Sequence, residues 1–170
     1  MIYRATHILK IKEGDYFKAM FSDEFDRYLQ ERLNLASRST LYNTETNDTI
    51  ERKVRSISKE LSERAQSILR QKTLTVDEEI SVDKKRNEFH WQFIPDVFTR
   101  MVTIKGRGRI SKNDEESIKR EMELEINVHI PLFGKKIEEF IISRLDAWYE
   151  RVNSSLEEFY REVYTKKTQS

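Results

Sequence analysis

Three polar residues interrupt apolar faces in this sequence, and each could do chemistry. His7 shares a parity with Leu9 and Ile11, Arg52 with Ile50 and Val54, and Glu78 with Leu74, Val76, Ile80 and Val82. Alternation with period two marks a strand with one buried face, so all three side chains are expected to point inward. An arginine presents a planar fork of donors that fits a carboxylate or phosphate headgroup, and a neighbouring glutamate can orient that fork. A histidine in the same hollow can move a proton near neutral pH. Leaving Arg52 or Glu78 buried without a counter-charge would cost several kcal/mol, so each needs the other or a ligand. The competing expectation is that twist or a bulge turns one of them to solvent, or that they close into a structural pair.

The elements that must position these residues follow from period and punctuation. Residues 2–12 alternate as a strand, ended by Gly14 and Asp15. Tyr16, Phe17, Met20, Phe21, Phe25, Tyr28, Leu29 and Leu33 then fall on helical spacing, with Ser22 and Asp23 placed to cap a second helix ending near Asn34. Residues 39–45 and 49–58 read as a hairpin about Thr46, Asn47 and Asp48. Residues 59–71 fit either a turn or a short helix. Strands follow at 74–82, 88–94 and 99–111, the second ended by Pro95 and the third carrying Gly106 and Gly108. These glycines mark a bend or a close approach to the sheet face. Residues 119–130 form the last strand, with Met122, Leu124, Ile126, Val128 and Ile130 on one face and Glu121, Glu123 and Glu125 on the other.

After Pro131 and Gly134 the period changes. Ile137, Phe140, Ile141, Leu145, Trp148, Val152, Leu156, Phe159 and Val163 draw one apolar stripe along a helix of roughly 30 residues. Consecutive strands joined by such short turns are antiparallel, which makes the fold α+β. A curved sheet that grips so long a helix can leave a hollow. The aromatic set Phe89, Trp91, Phe93, Phe140, Trp148 and Tyr149 would either line that hollow or fill it.

Composition removes several classes of function. The 170 residues contain no cysteine, so disulfides, thiolate metal sites and cysteine nucleophiles are excluded. Thirty-one basic and thirty acidic residues, interleaved, leave a net charge of +1, without the footprint of nucleic-acid binding. His7, His90 and His129 sit on separate strands and lack paired metal-ligand spacing. No phosphate loop, dinucleotide fingerprint or serine elbow occurs, and no cofactor is expected. Lys105, Arg107 and Arg109 are expected to be a solvated strip balanced by Glu121, Glu123 and Glu125 on the neighbouring strand. No apolar run approaches the about 20 residues of a membrane span, and the opening residues lack a signal-peptide core, which makes the cytoplasm the expected address.

The order strand, two helices, six strands, helix resembles the helix-grip fold of the START-like (SRPBCC) superfamily. Its most particular part is residues 128–138, Val-His-Ile-Pro-Leu-Phe-Gly-Lys-Lys-Ile-Glu, which is similar to the strand-Pro-x-x-Gly-x-x-Ile-Glu junction of a branch of uncharacterised bacterial START-like proteins. The resemblance implies a seven-stranded curved antiparallel sheet wrapped around the C-terminal helix, in one domain over residues 1–165 followed by a polar tail at 166–170. It also implies an apolar cavity between sheet and helix that takes a lipid or another small hydrophobic molecule. In that strand order the third and fourth strands are neighbours, which lets Arg52 and Glu78 meet in the hollow.

The expected ligand-binding set is therefore His7, Arg52, Glu78, Phe89, Trp91, Phe93, Ile104, Leu124, Ile126, Phe140, Ile141, Leu145 and Trp148. Met20, Phe21 and the loop at 95–98 place apolar groups at element ends, where they would cap the core, gate an entrance or touch a membrane transiently. A non-catalytic carrier is the leading expectation. The alternatives are a polyketide-cyclase-like enzyme using His7, Glu78, Arg52 or Tyr42 on a bound ring, and an interaction module with a solid core.

Overall fold

Period-two and period-3.6 segments sort into two layers in the computed structural model, which describes residues 1–170. The strands are β1 (Ile2–Leu9), β2 (Leu35–Glu45), β3 (Thr49–Ser58), β4 (Thr75–Asp83), β5 (Glu88–Pro95), β6 (Val102–Lys112) and β7 (Ile118–Val128). They form one antiparallel sheet in the order β1-β7-β6-β5-β4-β3-β2. Every neighbouring pair except β1·β7 is consecutive in the chain; β2·β3, β4·β5 and β6·β7 are joined by short polar turns, β5·β6 by residues 96–101, and β3·β4 by the longer segment 59–74. The chain reaches the far edge of the sheet through α1 (Tyr16–Met20) and α2 (Asp23–Arg32). Ser22 caps α2, its Oγ accepting from the Phe25 amide at 3.1 Å. The ambiguous segment at 59–71 contains a helix, α3 (Glu63–Leu69), capped by Ser62 and stopped by Arg70 in the left-handed conformation.

The long helix is α4 (Gly134–Phe159), prolonged by a π turn at Tyr160–Tyr164 and by α5 (Thr165–Thr168). The expected polar tail thus begins as helix, with Lys167 reaching Glu24 at 2.6 Å. Tyr160 and Tyr164 stack with centroids 5.5 Å apart, and both hydroxyls donate to Asp15, at 2.7 and 3.4 Å. No helix is long and apolar enough to cross a membrane.

The junction between β7 and α4 is fixed by two contacts. Gly134 is buried against the Val128 carbonyl, so that any Cβ there would collide with backbone. Glu138 turns back and accepts from the Val128 amide at 2.8 Å. Because the obstacle is a carbonyl rather than a flexible side chain, Gly134→Ala is expected to lower stability by about 1–3 kcal/mol in urea unfolding.

The core lies between the concave face of the sheet and the second half of α4. Leu124 and Ile126 of β7 are fully buried there with Leu9, Phe25, Ile118 and Leu156. The outer face carries the expected charge ladder: Arg107 pairs with Glu123 at 2.9 Å and Arg109 with Glu121 at 3.2 Å. Two positions of the apolar stripe differ from expectation. Phe140 is exposed, and so is Val163. Inward positions advance through Ile137, Ile141, Leu145, Tyr149, Val152 and Leu156, and a turn of about 100° per residue carries Phe140 off that seam. The Arg144 guanidinium covers the exposed Phe140 ring at 5.0 Å instead.

Candidate functional site: an apolar cleft between two buried arginine clusters

The two glycines of β6 set the shape of the interior. A Cβ on Gly106 would be driven into the Trp91 indole, and one on Gly108 would lie 2.6 Å from the Phe89 ring. The missing side chains let both rings lie against the sheet face, where they stack 5.4 Å apart at 23°. The expected hollow is thus largely filled by its own aromatic residues. What remains is a cleft of about 50 Å³ bounded by Phe89, Trp91, Phe93 and Glu78 from the sheet, Trp148, Tyr149 and Val152 from α4, and Met20 and Phe21 from the end of α1. Met20 and Phe21 are half-buried walls of the cleft rather than exposed groups. Two larger depressions, of about 310 and 350 Å³, lie on the outer face and are lined mainly by polar and charged side chains such as Glu51, Glu79, Arg107 and Glu121. They are open, solvated surfaces.

Below the cleft α4 is only loosely seated. From Lys135 to Trp148 no side chain is fully buried, although Ile137, Ile141, Ile142, Leu145 and Trp148 face the core. Phe93 and Ile104 opposite them are likewise half-buried, and Phe93 meets Trp148 edge-on at 6.3 Å. The second half of the same helix buries Tyr149, Val152, Asn153, Leu156 and Phe159.

Arg52 and Glu78 both point inward, as their parity requires, but they do not bond to each other. The antiparallel register places Arg52 opposite Ile80 and Glu78 opposite Val54. Arg52, 1% exposed, donates to Asp26 and, at 2.9 Å, to Thr40. Arg38 bridges the remainder, giving Nε to Asp26 at 2.9 Å and Nη2 to Glu78 at 3.1 Å. Asp26 lies in the first turn of α2, where the helix dipole favours an anion. Arg52, Arg38, Asp26 and Glu78 thus form a neutral quartet, with only Glu78 reaching the cleft wall. Arg52 is held by protein groups, so the expected headgroup anchor is already occupied.

A second cluster surrounds Arg120, 2% exposed, on β7. Its guanidinium donates to the Tyr16 hydroxyl at 3.0 Å and to Asn153 Oδ1 at 2.5 Å, and it lies 3.2 Å from His7 Nδ1. His7 therefore faces inward, with its ring 5.8 Å from Tyr149. Burial, reinforced by the Arg120 charge, lowers its pKa from 6.5 to about 4. Burial also raises the Tyr149 hydroxyl well above its ordinary value. Because the folded value of His7 lies below the unfolded one, the unfolded chain takes up the proton first as the solution is acidified. Its contribution is complete above pH 6.5 and falls away toward pH 4. Between pH 7 and 5, His7→Asn is expected to flatten the fall in melting temperature seen for the unaltered chain.

Tyr42, expected as a cavity tyrosine, is exposed on the outer face. A register shift between Thr40 and Tyr42 reverses the parity of β2, turning Arg38 and Thr40 inward and Tyr42 out. Ile104, Leu124, Ile126, Ile141 and Leu145 pack around the cleft without walling it, and Phe140 takes no part. Asp26, Arg38, Arg120 and Asn153 are the residues that sequence reasoning missed. Arg120 carried a signal, since it stands on the same parity as Met122 and Leu124. Asn153 carried one too, four residues after the inward Tyr149.

A seven-stranded antiparallel sheet curved about one C-terminal helix, with two short helices between β1 and β2, is the helix-grip fold. Over residues 5–159 the chain matches, and it belongs to, the family described as "Protein of unknown function (DUF2505)". Among solved structures it is similar to the protein TTHA0849 from Thermus thermophilus, with a TM-score of 0.64 at 14% identity over 93% of this chain and 95% of that one. It is similar too to the Zhui aromatase/cyclase from Streptomyces sp. R1128, with a TM-score of 0.63 at 12% identity over 95% and 96% of the two chains. A START superfamily protein from Mycobacterium smegmatis gives a TM-score of 0.60 at 12% identity over 93% and 98%. At these identities the likeness is one of fold. No curated protein matches the sequence.

Proposed function

We propose that this protein binds a lipid or another small hydrophobic molecule between its sheet and its C-terminal helix, as a non-catalytic carrier in the cytoplasm. The observation that carries the reading is the contrast within α4. Its second half is close-packed, whereas its first half holds apolar side chains over a half-buried sheet face they do not seal. About 50 Å³ is roughly a third of the ~150 Å³ cavity that admits benzene, so loading requires the walls to part. Met20 and Phe21 on the cleft wall, and the first half of α4 beside the cleft, have the least packing to lose. Each 100 Å² of apolar ligand surface then removed from water contributes about 2.5 kcal/mol. Leu132, 92% exposed, with Phe133, Phe98 and Met101 and flanked by Arg100, Lys135 and Lys136, supports transient membrane contact during loading.

A cyclase-like reaction needs a general base near its working pH, and a histidine titrating at about 4 is a weak one at neutrality. The carrier reading therefore stands ahead of the enzymatic one. Native mass spectrometry of the gently purified chain tests it. A retained mass of a few hundred daltons, released on denaturation, is expected; a clean apo mass that stays clean after incubation with mixed lipids would count against the carrier.

A further inference from the structure

We infer that the cleft takes a hydrophobic monoanion, with Arg120 as its counter-ion; the inference rests on the carrier reading and narrows it to one class of ligand. Arg120 is the cation on the cleft wall, and its three polar contacts are all neutral: Tyr16, Asn153 and His7. Its Nε has no partner at all. A buried cation without a counter-charge costs several kcal/mol, a cost that an incoming anion would remove. The acidic groups nearest the cleft are already engaged. Asp26 and Glu78 are matched by Arg52 and Arg38, and Asp146 accepts from the Tyr3 hydroxyl at 2.5 Å, outside the cleft. Arg52 makes the comparison instructive. It is as deeply buried and has two unpartnered nitrogens, yet it possesses a carboxylate. Arg120 has none.

The charge count also selects the ligand. One positive charge in excess neutralises one negative charge, so a carboxylate fits, whereas a dianionic phosphate would leave a surplus negative charge beside Glu78. The remaining wall of Phe89, Trp91, Met122 and Trp148 suits an acyl chain or a flat ring. A fatty acid or an aromatic carboxylic acid is the class this combination recognises.

The test compares dodecanoate with 1-dodecanol, equal in chain length and different in charge, on the full chain at pH 7.5. Binding is followed by the emission of Trp91 and Trp148, the chain's only tryptophans, both on the cleft wall. Dodecanoate is expected to bind on the order of tenfold or more tightly than dodecanol, the scale of a charge-assisted hydrogen bond. In Arg120→Gln, which keeps a neutral hydrogen-bond donor at this position, the dodecanoate advantage should vanish while dodecanol affinity holds. A structural role for Arg120 would instead lower both affinities together. Equal binding of the two probes by the unaltered chain overturns the inference and leaves the carrier reading standing. Binding of neither overturns both. Because that comparison needs no substitution, it decides the matter even if Arg120→Gln fails to fold.

Discussion

Asp26→Ala is expected to lower the unfolding free energy by about 3–5 kcal/mol. Asp26 accepts from Arg52, from Arg38 at 2.9 Å and from the Thr40 hydroxyl at 3.3 Å while almost wholly buried. Without it, two guanidinium groups share the single remaining carboxylate of Glu78, and Arg52 keeps its charge in an apolar setting beside the Phe21 ring. Removing the pair together has a different consequence. In Asp26→Leu combined with Arg52→Met no orphan charge remains, and Arg38 keeps Glu78 at 3.1 Å, so most of the loss should be recovered. Urea unfolding followed by circular dichroism measures both. A loss below about 1 kcal/mol for Asp26→Ala would mean that water reaches the quartet and screens it.

Gly106→Ala should cost about 1–3 kcal/mol and alter the cleft as well. The added methyl occupies space now held by the Trp91 indole, which is buried and stacked on Phe89. Relief requires the indole to lift away from the sheet, toward α4 and into the cleft it helps to line. Two readings should change together: a lower unfolding midpoint and a shifted tryptophan emission maximum. Unchanged emission with reduced stability would place the strain in the β6 backbone instead.

The period of the strands and the long stripe of α4 made the fold legible from the residues alone, because alternation and 3.6-residue spacing report burial directly. Arg52 and Glu78 were legible as inward charges for the same reason. Their partners were not. Asp26 and Arg38 lie on α2 and β2, and their meeting depends on how α2 packs across β2, which no local pattern announces. Tyr42 was misplaced by the register shift between Thr40 and Tyr42, which puts it on the opposite face from Arg38 and Thr40. Phe140 shows a different limit: a one-sided stripe gives the direction of a helix face to within a residue, and the edge of that face is set by how far the sheet curls round it. The degree of filling was also beyond the sequence. Gly106 and Gly108 announced a close approach, but either a ligand or the chain's own rings could have made it, and the rings of Trp91 and Phe89 did.

The most direct test of the central claim is titration of the chain with N-phenyl-1-naphthylamine, a neutral probe whose emission rises in apolar surroundings. Saturable binding at about one probe per chain is expected, lost in Met20→Trp, which fills the cleft from the end of α1, where Met20 is half-buried on its wall. If the probe fails to bind, or if Met20→Trp binds it as well as the unaltered chain does, the space between sheet and helix is not a ligand site.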